Sequence, residues 1–267
     1  MKKPWWEKRG MREVEPSEED YERMMHRLII DITYKCNLGC NNCNTACGIA
    51  PTDDHMTVEQ IQKFVQESDA QGWRWNSILL EGGEPTLHPD LFEILDTLRA
   101  GSSTGRLSVL GITTNGYGEG FPERLRLLKK RYPALYIRNT AKTGRHVKDH
   151  ECFYVSPMDV GMDYGQWQRG CSMPFRCGLA LTPYGFYPCS QGAAMDRIFD
   201  TDQGVKSFKD VVDWGPQRLL EYWLNNDMCA DCGRLHAAIS PYELISERWA
   251  NALFRSRTIG AGKPCEY

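Results

Sequence analysis

A regular alternation of strand-like and helix-like segments between residues 27 and 138 constrains the fold more than any other feature of the chain. The β-branched run Arg27–Thr33 predicts a first strand. Thr57, three residues before Gln60, is typical of a capping box that opens a helix to about Ala70. The later predicted segments are strands at 77–80, 107–113 and 134–138 and helices at 89–100 and 122–131. Because strands linked by helices pair in parallel, the pattern predicts an α/β fold on a parallel sheet or barrel.

Three cysteines follow the first predicted strand, with three and then two residues between them: Cys36, Cys40 and Cys43. They supply three thiolates, whereas an ordinary [4Fe-4S] centre is closed by four cysteines. One iron would stay open, which a cluster needs if it binds a substrate rather than only carrying electrons. A structural zinc site is the alternative, because Cys40 and Cys43 form a CxxC unit and Cys47 offers a fourth thiolate.

A glycine-containing turn follows the second predicted strand. Gly82 and Gly83 lack a Cβ and therefore let a ligand approach the backbone closely. Glu84 can accept a hydrogen bond from an ammonium group, and Pro85 prevents the strand from continuing. In a barrel of parallel strands this turn and the cysteines lie at the same edge, where reactive residues collect.

The CxxxCxxC motif followed by Gly-Gly-Glu-Pro resembles the radical S-adenosylmethionine (SAM) superfamily. The resemblance implies a partial parallel (β/α)6 barrel and a [4Fe-4S] cluster on Cys36, Cys40 and Cys43. It also implies that the open iron binds the amino and carboxylate groups of SAM. One electron from the cluster would then split SAM into methionine and a 5′-deoxyadenosyl radical, which abstracts hydrogen from a substrate. The chain departs from the family at Asn42, where an aromatic residue is usual.

The same resemblance implies further SAM contacts at the ends of the later strands. The residues expected to bind the cofactor are Gly82, Gly83, Glu84, Pro85, Thr113, Thr114, Asn115 and Asn139. Acid–base partners of the reaction are sought just beyond the fourth predicted strand, at Arg138, Lys142, His146 and His150.

A second group of cysteines lies in the C-terminal half. Cys171, Cys177 and Cys189 surround a predicted hairpin with its turn at Tyr184-Gly185, and Cys229 and Cys232 follow a helix predicted from about residue 217 to 225. This order resembles the twitch extension of radical SAM enzymes, a shortened relative of the SPASM domain, and implies one auxiliary [4Fe-4S] cluster. Spacing does not decide which of Cys171 and Cys177 is free, and a zinc ribbon is the alternative. The remaining Cys152 and Cys265 are scattered.

These motifs divide the chain into four predicted parts. They are an N-terminal extension at 1–26, the radical SAM partial barrel at 27–165, the twitch/SPASM-like α+β domain at 166–240, and a C-terminal helix and tail at 241–267. The closing helix is predicted over 241–254.

Composition excludes several classes of function. The 267 residues are 41% hydrophobic and 25% charged with a net charge of −3, so no basic field favours nucleic acid. No apolar run reaches the roughly 18 residues typical of a membrane helix, and the charged N-terminus does not resemble a signal peptide, which predicts a cytoplasmic protein. Eleven cysteines in that reducing compartment indicate metal binding rather than disulfides.

The leading hypothesis is a radical SAM enzyme that dehydrogenates a small molecule with help from the auxiliary cluster, supplied with electrons by a flavodoxin- or ferredoxin-type donor. One alternative is an epimerase in which Cys152, or the free member of the Cys171 and Cys177 pair, returns hydrogen to the substrate. A peptide-modifying enzyme is another. The last is a non-catalytic iron–sulfur or zinc protein for binding or electron transfer.

Overall fold

The computed structural model describes residues 14–48, 54–103, 105–144, 153–160, 171–226, 228–236, 245–259 and 267. In these ranges the strands are β1 (Arg27–Thr33), β2 (Trp75–Gly82), β3 (Leu107–Thr114), β4 (Tyr136–Asn139), β5 (Leu179–Thr182) and β6 (Gly185–Tyr187). The α-helices are α1 (Glu18–Met25), α2 (Val58–Ala70), α3 (Leu91–Ser103), α4 (Phe121–Arg131), α5 (Met173–Cys177), α6 (Ser190–Phe199), α7 (Phe208–Asn225) and α8 (Glu247–Ile259). Single 3-10 turns lie at Pro85–Leu87, Pro157–Val160 and Gly233–His236.

The strands form one sheet in the order β4-β3-β2-β1-β5-β6. Every neighbouring pair is parallel except β5 and β6, which are antiparallel. Helices α2, α3 and α4 connect β1 through β4 in sequence. The predicted α/β class with a largely parallel sheet is therefore confirmed.

Local capping signals start two of the helices. The Thr57 hydroxyl accepts a hydrogen bond from the Gln60 amide, and the Gln60 side chain accepts one from the Thr57 amide, as the capping box predicts. Helix α1 was not predicted, although Ser17 and Asp20 form the same reciprocal box. Helix α7 begins nine residues before the predicted start at 217, but it consists of two helical parts separated at Gly215 (φ 70°), and the prediction matches the second part.

The two faces of the sheet have different partners. Leu28, Ile30 and Ile32 of β1 belong to the main core together with Ile61 and Phe64 of α2. Side chains alternate along a strand. Asp31 and the residues two positions before and after it, Ile29 and Thr33, therefore point to the opposite face. Helix α6 covers that face at β1, since the Ser190 hydroxyl donates to Asp31 at 2.9 Å.

The predicted C-terminal hairpin is present and continues the same sheet. Its turn is Pro183-Tyr184, one residue before the predicted Tyr184-Gly185, and Gly185 begins β6 with a φ of 122°. Strand β5 pairs with β1 in parallel from Leu28↔Leu179 onwards. The hairpin thus extends the sheet beside β1, the strand that leads into the first cysteine group. The predicted boundary at 166 falls outside the described residues, and the division into domains stays a prediction.

Helix α8 overlaps the predicted closing helix at 241–254 but begins six residues later and ends five residues later; residues 241–244 are outside the described residues. Its Trp249 packs in a second core with Phe153, Tyr154 and Ala46 of the cysteine loop. In the described ranges, no helix combines the length and the apolar character needed to cross a membrane.

Candidate functional site

The loop with Cys36, Cys40 and Cys43 begins where β1 ends, at the carboxyl edge of the parallel strands, and its three thiols are partly exposed. The loop is held mainly by backbone and amide contacts. The Lys35 amide donates to Thr33 Oγ1 at 3.0 Å, and Asn37 Nδ2 donates to the Tyr117 carbonyl at 2.8 Å. The cysteines are therefore presented on a fixed loop at the edge where the sequence predicts them.

Gly82 and Gly83 are required by the close passage of this loop. A Cβ at Gly83 would lie 2.7 Å from the Lys35 carbonyl carbon and 2.9 Å from the Tyr34 carbonyl carbon. Gly82 has a φ of 112° and lies against the Thr33 backbone. The glycines let the cysteine loop approach β2, which is a different role from the ligand approach expected from the sequence.

The Glu84 carboxylate is 1% exposed and is surrounded by donors of this chain. Its Oε1 accepts hydrogen bonds from the Thr86 amide (3.1 Å), the Thr86 hydroxyl (2.6 Å) and the Thr114 hydroxyl (2.7 Å). Its Oε2 accepts one from the Asn115 amide at 2.7 Å. Through these bonds the side chain of Glu84 joins the turns after β2 and β3. A carboxylate has about four acceptor positions, two on each oxygen, so Oε2 with its single donor retains one. The expected ammonium contact stays a prediction. Pro85 follows Glu84, buried, at the start of a 3-10 turn.

Asn115 connects the turn after β3 to the cysteine loop. Its Nδ2 donates to Asn37 Oδ1 at 2.8 Å and lies 3.8 Å from the Cys36 sulfur. Asn139, at the end of β4, accepts a hydrogen bond from the Ala141 amide and lies against Gly116. Gly82, Gly83 and Asn115 thus adjoin the cysteine loop, whereas Thr113 contacts Glu81 and Asn139 contacts the turn after β3.

Asn42, the departure from the family pattern, has a structural explanation. Its φ of 54° lies in the left-handed region, which asparagine tolerates better than most residues. The buried side chain accepts hydrogen bonds from the amides of Phe153 (2.9 Å) and Tyr154 (3.2 Å). Asn42 therefore anchors the cysteine loop to the 153–156 segment.

A row of polar side chains crosses the sheet on the face opposite the main core. Asp31 pairs in register with Glu81, the Thr113 hydroxyl donates to Glu81 Oε1 at 2.7 Å, and Thr113 pairs with Arg138. Burial raises the pKa of Glu81, against the lowering effects of the Thr113 hydrogen bond and the Arg138 charge. Burial likewise raises the pKa of Asp31, to about 7. Neither carboxylate was predicted from the sequence, although each is a charged residue near the end of a buried strand.

Four cysteines of the second group surround one cavity of about 260 Å³: Cys171, Cys189, Cys229 and Cys232. Cys189 is the N-cap of α6, where its sulfur accepts a hydrogen bond from the Gly192 amide at 3.3 Å. Burial, and then the other three thiols, raise the pKa of Cys189 well above its usual value. Burial raises the pKa of Cys232 to about 12, with Cys171 as the next cause. These thiols are close enough to interact electrostatically.

Cys177 does not line this cavity. Burial is the largest cause of the raised pKa of the Cys177 thiol. The charge of Glu81 raises this pKa further and that of Arg234 lowers it, and both effects are larger than that of Cys171. The grouping therefore favours Cys171 over Cys177 as the fourth member, and Cys177 lies on the side of the polar row.

The donor set fits iron–sulfur clusters chemically. In the described ranges, no three His, Cys, Asp or Glu side chains converge on a single metal ion. A [4Fe-4S] cubane has its four irons at alternate corners, so each thiolate binds its own iron and such convergence is not needed. Burial raises the pKa of Cys36 to about 11, and a coordinating thiol is deprotonated outright, so metal binding would convert it to the thiolate.

Some predicted residues lie outside the described ranges: Cys152, His146, His150 and Cys265. Of the other acid–base candidates, Arg138 is exposed at the end of the polar row, and the Lys142 amide donates to the Asn115 carbonyl at 2.8 Å. Cys47 lies near Cys43, since both sulfurs contact the Thr45 hydroxyl at 3.2 Å.

Comparison with known proteins places part of the chain in a family. The family model described as "Radical SAM superfamily" matches residues 30–138. Among the curated proteins, "Molybdenum cofactor biosynthesis protein 1" of Drosophila melanogaster is 36% identical over 112 residues, which are 41% of this chain and 19% of that protein. The "Probable GTP 3',8-cyclase" of Methanocaldococcus jannaschii is 33% identical over 96 residues, which are 36% of this chain and 30% of that protein.

This chain therefore spans less than a third of the length of those two relatives. Among the solved structures, BtrN in complex with AdoMet and 2-DOIA matches 82% of this chain and 96% of its own, with 12% identity and a TM-score of 0.44.

The family match runs from Ile30 of β1 through the third residue of β4 and includes the first cysteine group, the Gly-Gly-Glu-Pro turn and Asn115. Residues 30–138 of the chain therefore match the radical SAM superfamily, which indicates SAM and a SAM-binding [4Fe-4S] cluster as cofactors of this part.

Proposed function

We propose that this radical SAM enzyme dehydrogenates a small molecule, using a SAM-binding cluster on Cys36, Cys40 and Cys43 and an auxiliary cluster on Cys171, Cys189, Cys229 and Cys232. The observation that supports the proposal is the separation of the cysteines into two groups. One group lies partly exposed at the carboxyl edge of the sheet, and the other surrounds a cavity beside α6. The second group provides the four thiolates that an electron-accepting cluster needs.

When bound, SAM and its cluster supply a one-electron cleavage to methionine and a 5′-deoxyadenosyl radical, which removes a hydrogen atom from a substrate carbon. The chain's own task there is positioning. Asn115 and Glu84 hold the turn after β3 against the cysteine loop, and Gly83 lets that loop approach β2. These contacts fix the edge of the sheet at which SAM binds.

Dehydrogenation also requires the loss of a proton and of a second electron from the substrate. The proton acceptor we assign is Glu81, because its raised pKa brings the carboxylate closer to the range of an effective general base. Thr113 donates to one of its oxygens and orients it. The electron passes to the auxiliary cluster, and the original electron comes from a flavodoxin- or ferredoxin-type donor.

The test is anaerobic preparation of the full chain with measurement of iron, sulfide and 5′-deoxyadenosine formed from SAM and dithionite. About eight irons per chain are expected for two clusters. A Cys36→Ala variant is expected to lose about half of the iron and all of the 5′-deoxyadenosine. Cys171→Ala is expected to lose the auxiliary cluster, whereas its matched control Cys177→Ala retains it.

Other outcomes identify the alternatives. About four irons with one zinc leave the radical enzyme but remove oxidation through an auxiliary cluster. Loss of metal in Cys47→Ala would show that Cys47 is a fourth ligand, so that the site of Cys36, Cys40 and Cys43 has no open position. Full iron loading without 5′-deoxyadenosine would favour a binding or electron-transfer protein. A trapped substrate radical in Cys177→Ala would favour the epimerase. The GTP cyclisation in the relative's name is tested by including GTP among the substrates, and a peptide library tests peptide modification.

A further inference from the structure

Helix α6 connects the two cysteine groups. Its N-cap is Cys189 of the second group, and residues 190–198 are all buried. Near its other end, the Arg197 guanidinium reaches the cysteine loop, where Nη2 donates to the Thr45 carbonyl. The Thr45 hydroxyl in turn contacts the Cys43 sulfur at 3.2 Å. Thr45 therefore connects the Arg197 guanidinium to the Cys43 thiol.

Arg197 is unusual for a charged residue because it is only 6% exposed. Its guanidinium lies 4.0 Å from the centre of the Tyr34 ring. Its Nε and Nη1 atoms are buried and have no hydrogen-bond partner within the described part of the chain. Asp31 attracts it, but burial raises the pKa of Asp31 to about 7, so this carboxyl is only partly ionised at neutral pH.

A buried guanidinium without a full counter-charge is costly, and it cannot lose its proton as a lysine can. Such a charge is retained when an anion lies close to it in the functional state. The anion that the neighbouring residues provide for is a cluster with three thiolates, which is negatively charged and becomes more so on reduction. A fixed cation in a low-dielectric site stabilises the more negative, reduced form.

We infer that Arg197 is the built-in counter-cation of the SAM-binding cluster and raises its reduction potential. The inference rests on the cluster proposed above for Cys36, Cys40 and Cys43. Helix α6 then has two roles: its start carries a thiol of the auxiliary group, and its end sets how readily the first cluster accepts the electron that cleaves SAM.

The test is an EPR-monitored redox titration of the iron-loaded full chain with SAM, following the signal that changes when SAM is added. In Arg197→Gln, the equilibrium for reduction is expected to fall by about tenfold, which is about 59 mV for one electron. Arg197→Lys keeps the charge and is expected to stay close to wild type. The matched control is Arg218→Gln, because Arg218 also lies over an aromatic ring, at 4.9 Å from the Trp214 centre, but is exposed.

An unchanged potential in Arg197→Gln at full iron loading would overturn the inference, and so would an equal shift in Arg197→Lys. If Arg197→Gln does not load iron, Arg197→Met is titrated instead. Loss of iron in both neutral variants with normal loading in Arg197→Lys supports a requirement for the charge, whereas loss in all three assigns only a structural role. A wild-type chain without a SAM-dependent signal would instead contradict the proposed function.

Discussion

Substituting Gly83 by alanine tests whether the first cysteine group depends on the close passage of its loop against β2. The added Cβ would lie 2.7 Å from the Lys35 carbonyl carbon and 2.9 Å from that of Tyr34. Both neighbours are backbone atoms, so no flexible side chain can move away. The Glu84 amide, which donates to the Lys35 carbonyl at 2.8 Å, would be displaced as well. The loop must therefore shift as a unit.

The expected cost follows from overpacking, which typically destabilises by about 1–3 kcal/mol. We place Gly83→Ala at the upper end, about 3 kcal/mol, because the clash is with backbone and disturbs a hydrogen bond. For a chain of this size each kcal/mol lowers the unfolding temperature by about 2–4 °C, so a loss of about 6–12 °C is expected. The shifted loop should also bind less iron.

The assay is thermal unfolding together with iron content and the SAM-dependent EPR signal. Gly120→Ala is the matched control, since a Cβ there has no atom within 4 Å and its φ is −78°. If Gly83→Ala matches this control in unfolding temperature and in the EPR signal, the glycine is not needed for the loop, and the reasoning is refuted.

Three further outcomes are expected. Asn42→Ala leaves the buried amides of Phe153 and Tyr154 without their acceptor and should lower the free energy of unfolding by about 2–4 kcal/mol in denaturant unfolding. Asn42→Gly relieves only the left-handed φ and should recover a minor part of this loss. Full recovery of stability in Asn42→Gly would contradict the role of the two hydrogen bonds. Glu84→Gln places an amide NH2 among donors and should cost about 3 kcal/mol with reduced iron loading, whereas normal loading and stability would argue against the four-donor arrangement. Asp31 has a folded-state pKa of about 7 against 3.8 for the free side chain, so its ionisation lowers the stability of wild type as the pH rises from about 4 through 7. Asp31→Asn should remove this loss of stability, which amounts to up to about 4 kcal/mol at pH 8. If the free energy of unfolding depends on pH in the same way in variant and wild type, the raised pKa of Asp31 is excluded.

Local patterns predicted the elements that depend on neighbours in sequence. Strands β1 to β4 and helix α2 were found because hydrophobic runs and the Thr57 capping box act within a few residues. Helix α1 was missed although the Ser17 and Asp20 capping box is a local signal; its charged sequence has few apolar residues, and Met24 and Met25 are buried against distant residues. The first part of α7 was missed, whereas the predicted start at 217 matches the second part, which follows the non-helical Gly215 and Pro216.

The site divides in the same way. Cys36, Cys40 and Cys43 were predictable because three thiolates for one cluster can be supplied by a single short loop. The division between Cys171 and Cys177 was not, because it depends on Cys189, Cys229 and Cys232, which reach the same cavity from other segments.

The sequence by itself determined the resemblance of residues 30–138 to the radical SAM superfamily, the parallel α/β class and the first set of cysteines, since each depends on spacing or periodicity over short stretches. Only the tertiary structure assigned the Glu84 carboxylate to chain donors, opposed Asp31 to Glu81, and brought Arg197 to Thr45. The physical reason is that hydrogen bonding, burial and charge act through space. Arg197 and Thr45 are 152 positions apart in the chain, and no local pattern records that they are in contact.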